Sequence, residues 1–293
     1  MASPARRLAT NVPGDVYVDS SCIDCDTCRW MAPEVFDAAG DQSRVHAQPA
    51  DERSTLRALQ ALLACPTGSI GTLAGHDLAP AKASFPLPVD GEVFHCGYHA
   101  ESSFGAASYL VVRTPERGGN VLVDSPRFTK PLCDRLDALG GVSLLFLTHR
   151  DDVADHARFA ERYGCRRVIH AADVDAGTRD VETRIEGLAP VDLDADLRVV
   201  PTPGHTAGSA CLIHRSTFLF SGDHVAWSPT RRHVYAFRDA CWHDWDRQIE
   251  SMERLAAERF EWILPGHGRR CRIEAERMPA EIARCVAWMR ARR

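Results

Sequence analysis

The chain has 293 residues, 45% of them hydrophobic and 26% charged, with a formal net charge of −5. This is an ordinary globular composition, long enough for one large domain or two smaller ones. It has no basic block, which argues against a nucleic-acid partner, and no apolar run near the roughly 20 residues that span a bilayer, which argues against a membrane segment.

The N-terminal stretch Met1–Gly14 carries Arg6 and Arg7 but no apolar segment of the kind a secretory signal needs. A cytoplasmic location is therefore expected. Eleven cysteines are present. In a reducing compartment, clustered cysteines hold metal more often than they form disulfides.

Asp15–Asp19 reads as a short strand, and leucines at 56, 59, 62 and 63 predict a helix over Ala50–Ala64. A unit this small has little core and benefits from a metal staple. Ala79–Val89, with three prolines, reads as a linker running into a strand. Beyond it, Ser108–Arg113 and Asn120–Asp124 flank turn residues and predict a hairpin. Helices are expected at Thr129–Leu139, at Val153–Tyr163, at Asp246–Glu258 and from Ala275 onward. Val142–Thr148 is a nearly all-apolar run that suits a buried strand. Further strands are expected at Arg167–His170, Leu197–Pro201, Cys211–His214, Phe218–Ser221 and Trp262–Leu264.

Cys22-Ile-Asp-Cys25-Asp-Thr-Cys28 is a C-x2-C-x2-C run, and a remote Cys65 is followed by Pro66. Three close thiolates and a distant Cys-Pro suit a cuboidal cluster, whose four irons each take one soft ligand. Four thiolates also suit zinc. In two-cluster ferredoxins a further Cys-Pro follows the run, but here that place holds Ala32-Pro33. The segment from Asp15 to Leu73 therefore resembles single-cluster ferredoxins. That resemblance implies one [4Fe–4S] cluster on Cys22, Cys25, Cys28 and Cys65, and a possible redox partner protein. The other seven cysteines are scattered and read as small buried residues.

A second set of motifs follows strand-like runs: Thr148-His149, Asp151, Asp155-His156, Pro203-Gly-His205-Thr206, Gly222-Asp223 and Pro265-Gly-His267-Gly268. From about Val93 to Gly268 this order resembles the metallo-β-lactamase superfamily. The resemblance implies two packed mixed sheets with helices outside, an αββα arrangement, and two divalent metal ions, zinc or iron. It implies Asp223 as the bridge, His149 and His205 at one metal, and Asp155, His156 and His267 at the other. Asp155 and Asp223 are the implied catalytic residues.

The first loop departs from the family pattern, since Asp151 stands where a histidine is usual. Asp155-His156 also come two residues late, as after a two-residue insertion. Asp151 is expected to ligate, with helix capping by Asp151 or Asp152 as the alternative.

The expected chain is thus α+β, with a ferredoxin-like domain at residues 1–80 and a metallo-β-lactamase-fold domain at residues 85–293. The function that follows is a metal-dependent hydrolase of a small-molecule substrate. A diiron oxidoreductase fed by the cluster and a non-catalytic redox sensor are the alternatives.

Overall fold

A computed structural model describes residues 2–292. The chain forms two compact units, Met1–Val112 with Pro126–Gly141, and Arg113–Ser125 with Val142–Arg293.

In the first unit, β1 (Val16–Val18) pairs antiparallel with β4 (Ile70–Thr72), bringing Val18 opposite Ile70. Between them lie α1 (Thr27–Met31), the hairpin of β2 (Phe36–Ala39) and β3 (Gln42–Val45), and α2 (Glu52–Ala64). Helix α2 starts where its sequence says it should. The Asp51 carboxylate accepts the Ser54 N–H at 2.7 Å, and the Asp51 N–H reaches the Ser54 hydroxyl at 3.1 Å. Such a reciprocal cap is worth about 1 kcal/mol. The helix buries Ala58, Leu59, Ala61 and Ala64.

The expected linker is not a plain linker. Residues Ala79–Ser84 form a short helix, α3. Proline is tolerated in its first turn, where no intrahelical N–H is needed, and Gln60 of α2 donates to the Ser84 hydroxyl at 2.9 Å. The chain then continues in the same unit through the antiparallel strands β5 (Leu87–Asp90), β6 (Val93–His95) and β7 (Tyr109–Val111). Helix α4 (Lys130–Ala138), capped by Thr129, completes the unit.

In the second unit, β8 (Val121–Val123), β9 (Leu144–Phe146), β10 (Arg166–His170) and β11 (Thr183–Ile185) are parallel neighbours in that order. Strands β8 and β9 are buried throughout, which accounts for their unbroken apolar sequences. Helix α5 (His156–Tyr163) joins β9 to β10 and ends at Gly164. A continuous helix from Val153 was expected. Instead a single 3-10 turn occupies Arg150–Asp152, and Ala154, at φ +28°, separates it from α5.

A six-stranded sheet follows. Its strands are β12 (Val191–Asp192), β13 (Leu197–Pro201), β14 (Ala210–His214), β15 (Phe218–Gly222), β18 (Trp262–Pro265) and β19 (Cys271–Arg272), adjacent in that order. Only β15 and β18 run parallel among these pairs. The hairpin of β16 (Ala226–Ser228) and β17 (His233–Tyr235) precedes α6 (Trp245–Leu255), and α7 (Met278–Arg290) ends the described chain.

Ile249, Met252 and Leu255 of α6 and Ile282, Cys285 and Met289 of α7 share one buried cluster with Val200, Ile213, Leu219 and Ile263 of the sheet. At about 25 cal/mol per Å² of apolar surface removed from water, burial of this cluster stabilises the packing of α6 and α7 on the sheet. No helix among the described residues is long and apolar enough to cross a membrane.

Candidate metal centres

In the first unit, Cys22, Cys25, Cys28 and Cys65 all line one cavity, together with Val18, Thr27, Ser43, Ser69 and Ile70. Cys22 and Cys25 lie on the loop that leads into α1, Cys28 sits in its first turn, and Cys65 follows the last turn of α2. No disulfide joins them. The Ser43 N–H points at the Cys22 sulfur at 3.4 Å, and the Ser69 N–H at the Cys65 sulfur at 3.3 Å. Burial pushes the Cys25 thiol up to about 11 and Cys28 higher still. Thiols so buried ionise only against a cation, while the N–H groups aimed at sulfur favour thiolates. The donor set fits an iron–sulfur cluster.

The second unit assembles its site at strand ends. Strands β8 and β9 are parallel, so Asp124 and His149, which follow them, leave the same edge of their sheet. Strands β15 and β18 do the same for Asp223 and His267, and the Gly266 N–H binds the Gly222 carbonyl at 2.9 Å. Gly222 has φ +48°, and a Cβ there would sit 2.5 Å from the Thr148 hydroxyl, so only glycine lets this turn pass. His205 lies on the loop from β13 to β14. Its carbonyl accepts the N–H groups of Trp242 and His243 at 2.9 and 3.1 Å.

The donor atoms converge. His149 Nε2 is 3.9 Å from Asp152 Oδ2, 3.9 Å from Asp223 Oδ2 and 4.0 Å from Asp151 Oδ2. His205 Nε2 is 3.4 Å from Asp151 Oδ2 and 3.7 Å from Asp223 Oδ2. His267 Nδ1 is 2.9 Å from both oxygens of Asp223. One donor atom from each of His149, Asp151 and His205 falls within 4.8 Å of the others, as does one from each of His149, Asp152 and Asp223. Each of these two triads could hold a cation.

Hydrogen bonding decides which His149 nitrogen faces them. The Thr148 hydroxyl donates to the Asp124 carboxylate at 2.9 Å and accepts from His149 Nδ1 at 2.9 Å. Nδ1 therefore carries the proton and Nε2 offers its lone pair to the cluster. Burial pushes the His149 imidazolium down to about 4, so the ring is neutral, the form that ligates.

The Asp152 side chain is 1% exposed, and no hydrogen-bond donor among the described residues reaches either oxygen. Burial, then the charge of Asp223, raises its carboxyl well above the usual range. For Asp223 burial acts in the same direction, but the imidazoles of His267, His149 and His205 outweigh it and hold the carboxyl low. Asp151 is also held low, first by the His205 ring 3.4 Å away.

Of the residues expected from sequence, His149, Asp151, His205, Asp223 and His267 come together. Asp155 and His156 do not join them. Asp155 precedes α5 and pairs with Arg158 at 3.6 Å, while His156 Nδ1 is 3.4 Å from the Arg167 guanidinium. The 3-10 turn is the physical reason: it directs Asp152 toward His149, and the break at Ala154 carries the next residues away.

Three carboxylates escaped the sequence reading as parts of the site: Asp124, Asp152 and Asp173. Asp173 is buried, accepting the Arg150 N–H at 3.0 Å and the Gly208 N–H at 2.7 Å and bonding the Thr206 hydroxyl, so it ties the His149 and His205 loops together. A lone Asp at the end of an apolar strand, as in Val121-Leu-Val-Asp124, was the available signal.

Comparison with known proteins bears out the fold. Seen in solved structures, the fold is that of the metallo-β-lactamases. VMB-1 superposes with a TM-score of 0.53 at 13% identity, over 70% of this chain and 95% of that one. A metallo-β-lactamase from Staphylococcus aureus subsp. aureus COL gives 0.50 at 18% identity, over 69% and 67%. Residues 18–72 match the model of the 4Fe–4S single cluster domain of ferredoxin I. A hydroxyacylglutathione hydrolase from Rhizobium etli is 28% identical over 127 residues, 42% of this chain. The chain spans about half of that relative's length, 46%.

Proposed function

We propose that this chain is a metal-dependent hydrolase of a small-molecule ester or thioester, with its centre on His149, Asp151, Asp152, His205, Asp223 and His267. One observation carries the reading: the buried Asp152 carboxylate, with no hydrogen-bond donor among the described residues, set beside His149 and the anionic Asp223. An uncompensated buried charge costs several kcal/mol, and a cation between these groups removes that cost. Divalent ions held here would supply an activated water and an electrophile for a substrate oxygen. The chain's own residues hold the His149 imidazole neutral and oriented and place the carboxylates around it.

The hydrolysis of a thioester is suggested first by the name of the Rhizobium etli relative. Trp242, 63% exposed with its ring 6.3 Å from that of His205, offers an apolar rim for such a substrate.

A second reading is favoured by one feature. The set holds three carboxylates, a hard and anionic shell that suits iron, in a chain with an iron–sulfur segment. A two-iron oxidoreductase fed by the cluster would use both.

Anaerobic purification with metal analysis and Mössbauer spectroscopy, followed by a panel of thioesters, esters and phosphoesters, separates the two. Zinc with turnover on the panel supports the hydrolase. Iron beyond the cluster's share, no turnover on the panel and reductant-dependent consumption of oxygen or nitric oxide would replace it with the second reading.

A further inference from the structure

Chain from well beyond the ferredoxin-like match at 18–72 packs against one of the cluster cysteines, within the same compact unit. Gly105 has φ +85°, and a Cβ there would lie 2.7 Å from Cys25 Cβ and 3.0 Å from its sulfur. Only glycine brings the backbone this close to a cluster ligand.

The Gly105 carbonyl is 2.6 Å from His99 Nδ1. A carbonyl carries no proton, so Nδ1–H donates to it. The same nitrogen lies 3.1 Å from the Thr27 hydroxyl oxygen. An N–H therefore faces that oxygen, and the hydroxyl proton must point elsewhere. Two acceptors lie within reach, the Gly105 carbonyl at 3.4 Å and the Cys25 sulfur at 3.4 Å. The carbonyl already takes the shorter bond from His99, while a thiolate ligand has no proton of its own and accepts.

Behind His99 stands His95, Nε2 to Nε2 at 2.8 Å, with the Trp30 ring edge-on to His95 at 4.9 Å between centroids. Thr27, His95 and His99 are at most 1% exposed, so water does not compete for these bonds.

We propose that Thr27, oriented by His99, donates a hydrogen bond to the Cys25 thiolate and thereby raises the reduction potential of the cluster. Reduction adds negative charge to the cluster, and a donor aimed at a ligand sulfur stabilises it. Thr27 is the donor, and His99 and Gly105 are positioning residues that act through it. The potential is then set partly by a segment, His95–Gly105, that a ferredoxin-like module cut at residue 72 would lack.

The test uses the full chain with its cluster in a spectroelectrochemical titration. Thr27→Val should shift the potential to more negative values, and Thr27→Ser should keep it at the wild-type value. His99→Leu should shift it in the same direction as Thr27→Val, and the double variant no further than Thr27→Val alone. An unchanged potential in Thr27→Val with a full cluster, or additive shifts in the double variant, would overturn the proposal. Should Thr27→Val not retain its cluster, pulsed electron–nuclear resonance on the reduced wild-type protein decides. An exchangeable proton coupled to the cluster, weakened in His99→Leu, is expected, and its absence in the wild type refutes the inference.

Discussion

The two candidate centres solve opposite problems. The cysteine site gathers soft donors: burial makes Cys25 and Cys28 reluctant to ionise, and backbone N–H groups are aimed at the sulfurs of Cys22 and Cys65. The histidine–aspartate site gathers carboxylates that repel one another, and it supplies few donors to calm them. The first arrangement suits a cluster held permanently and tuned by hydrogen bonds. The second leaves ligand atoms bare for cations, with orientation controlled one layer back by Asp124, Thr148 and Asp173.

The largest effect that sharpens this contrast is loss of a thiolate. Cys65→Ser should remove the broad visible absorption and most of the acid-labile sulfide, because one iron loses its soft ligand. Metal bound at the second site should persist. If the absorption survived in Cys65→Ser and vanished in Cys96→Ser, the ligand set would be wrong.

Next in size is the contrast between two aspartates of one loop. Asp152→Asn should lower the content of non-cluster metal by half or more, since it removes a buried anionic donor beside His149. Asp155→Asn should leave that content within error, because Asp155 faces Arg158 instead. Elemental analysis of both variants, normalised to the cluster absorption, reads the difference. Equal losses would restore the ligand set expected from the family motif.

The legibility of the two sites differed for the same physical reason. Three cluster cysteines lie within seven residues and the fourth precedes a proline, so chain-local spacing nearly specifies the site. His205, Asp223 and His267 each carry a glycine beside them that the turn needs, and those motifs were also readable. The first loop was not, because spacing along a motif presumes its backbone. A 3-10 turn and the positive φ at Ala154 swing Asp152 into the place expected of Asp155 and His156. Elements fared likewise. The helices over 52–64 and 245–255 were legible from their apolar period, whereas the helix at 79–84 was hidden by Pro80 and the prolines that follow it.

A smaller effect probes the layer behind the ligands. Thr148→Val keeps the shape of the side chain but removes the hydroxyl that accepts from His149 Nδ1 and donates to Asp124. His149 is then freer to flip or change tautomer, and metal affinity should fall by about 10-fold, the low end for losses of this kind. Competition with a chelator measures it. An unchanged affinity would mean that packing alone orients the ring.

The smallest effect lies away from both sites. Arg167 grips Glu182 through Nε and Nη2, at 3.1 and 2.7 Å, while its Nη1 rests beside His156. That hydrogen bonding holds the Glu182 carboxyl down at about 2, against an ordinary value of 4.5. A depressed carboxyl stabilises the folded state above its unfolded value, and the contribution is lost as pH falls from about 4.5 toward 2. Glu182 is 44% exposed, so solvent screening keeps the gain below about 1 kcal/mol. The melting temperature of the wild type should therefore exceed that of Glu182→Gln slightly at pH 6, and the gap should narrow by pH 3.5. A gap that held constant or widened on acidification would assign the difference to packing around Arg167.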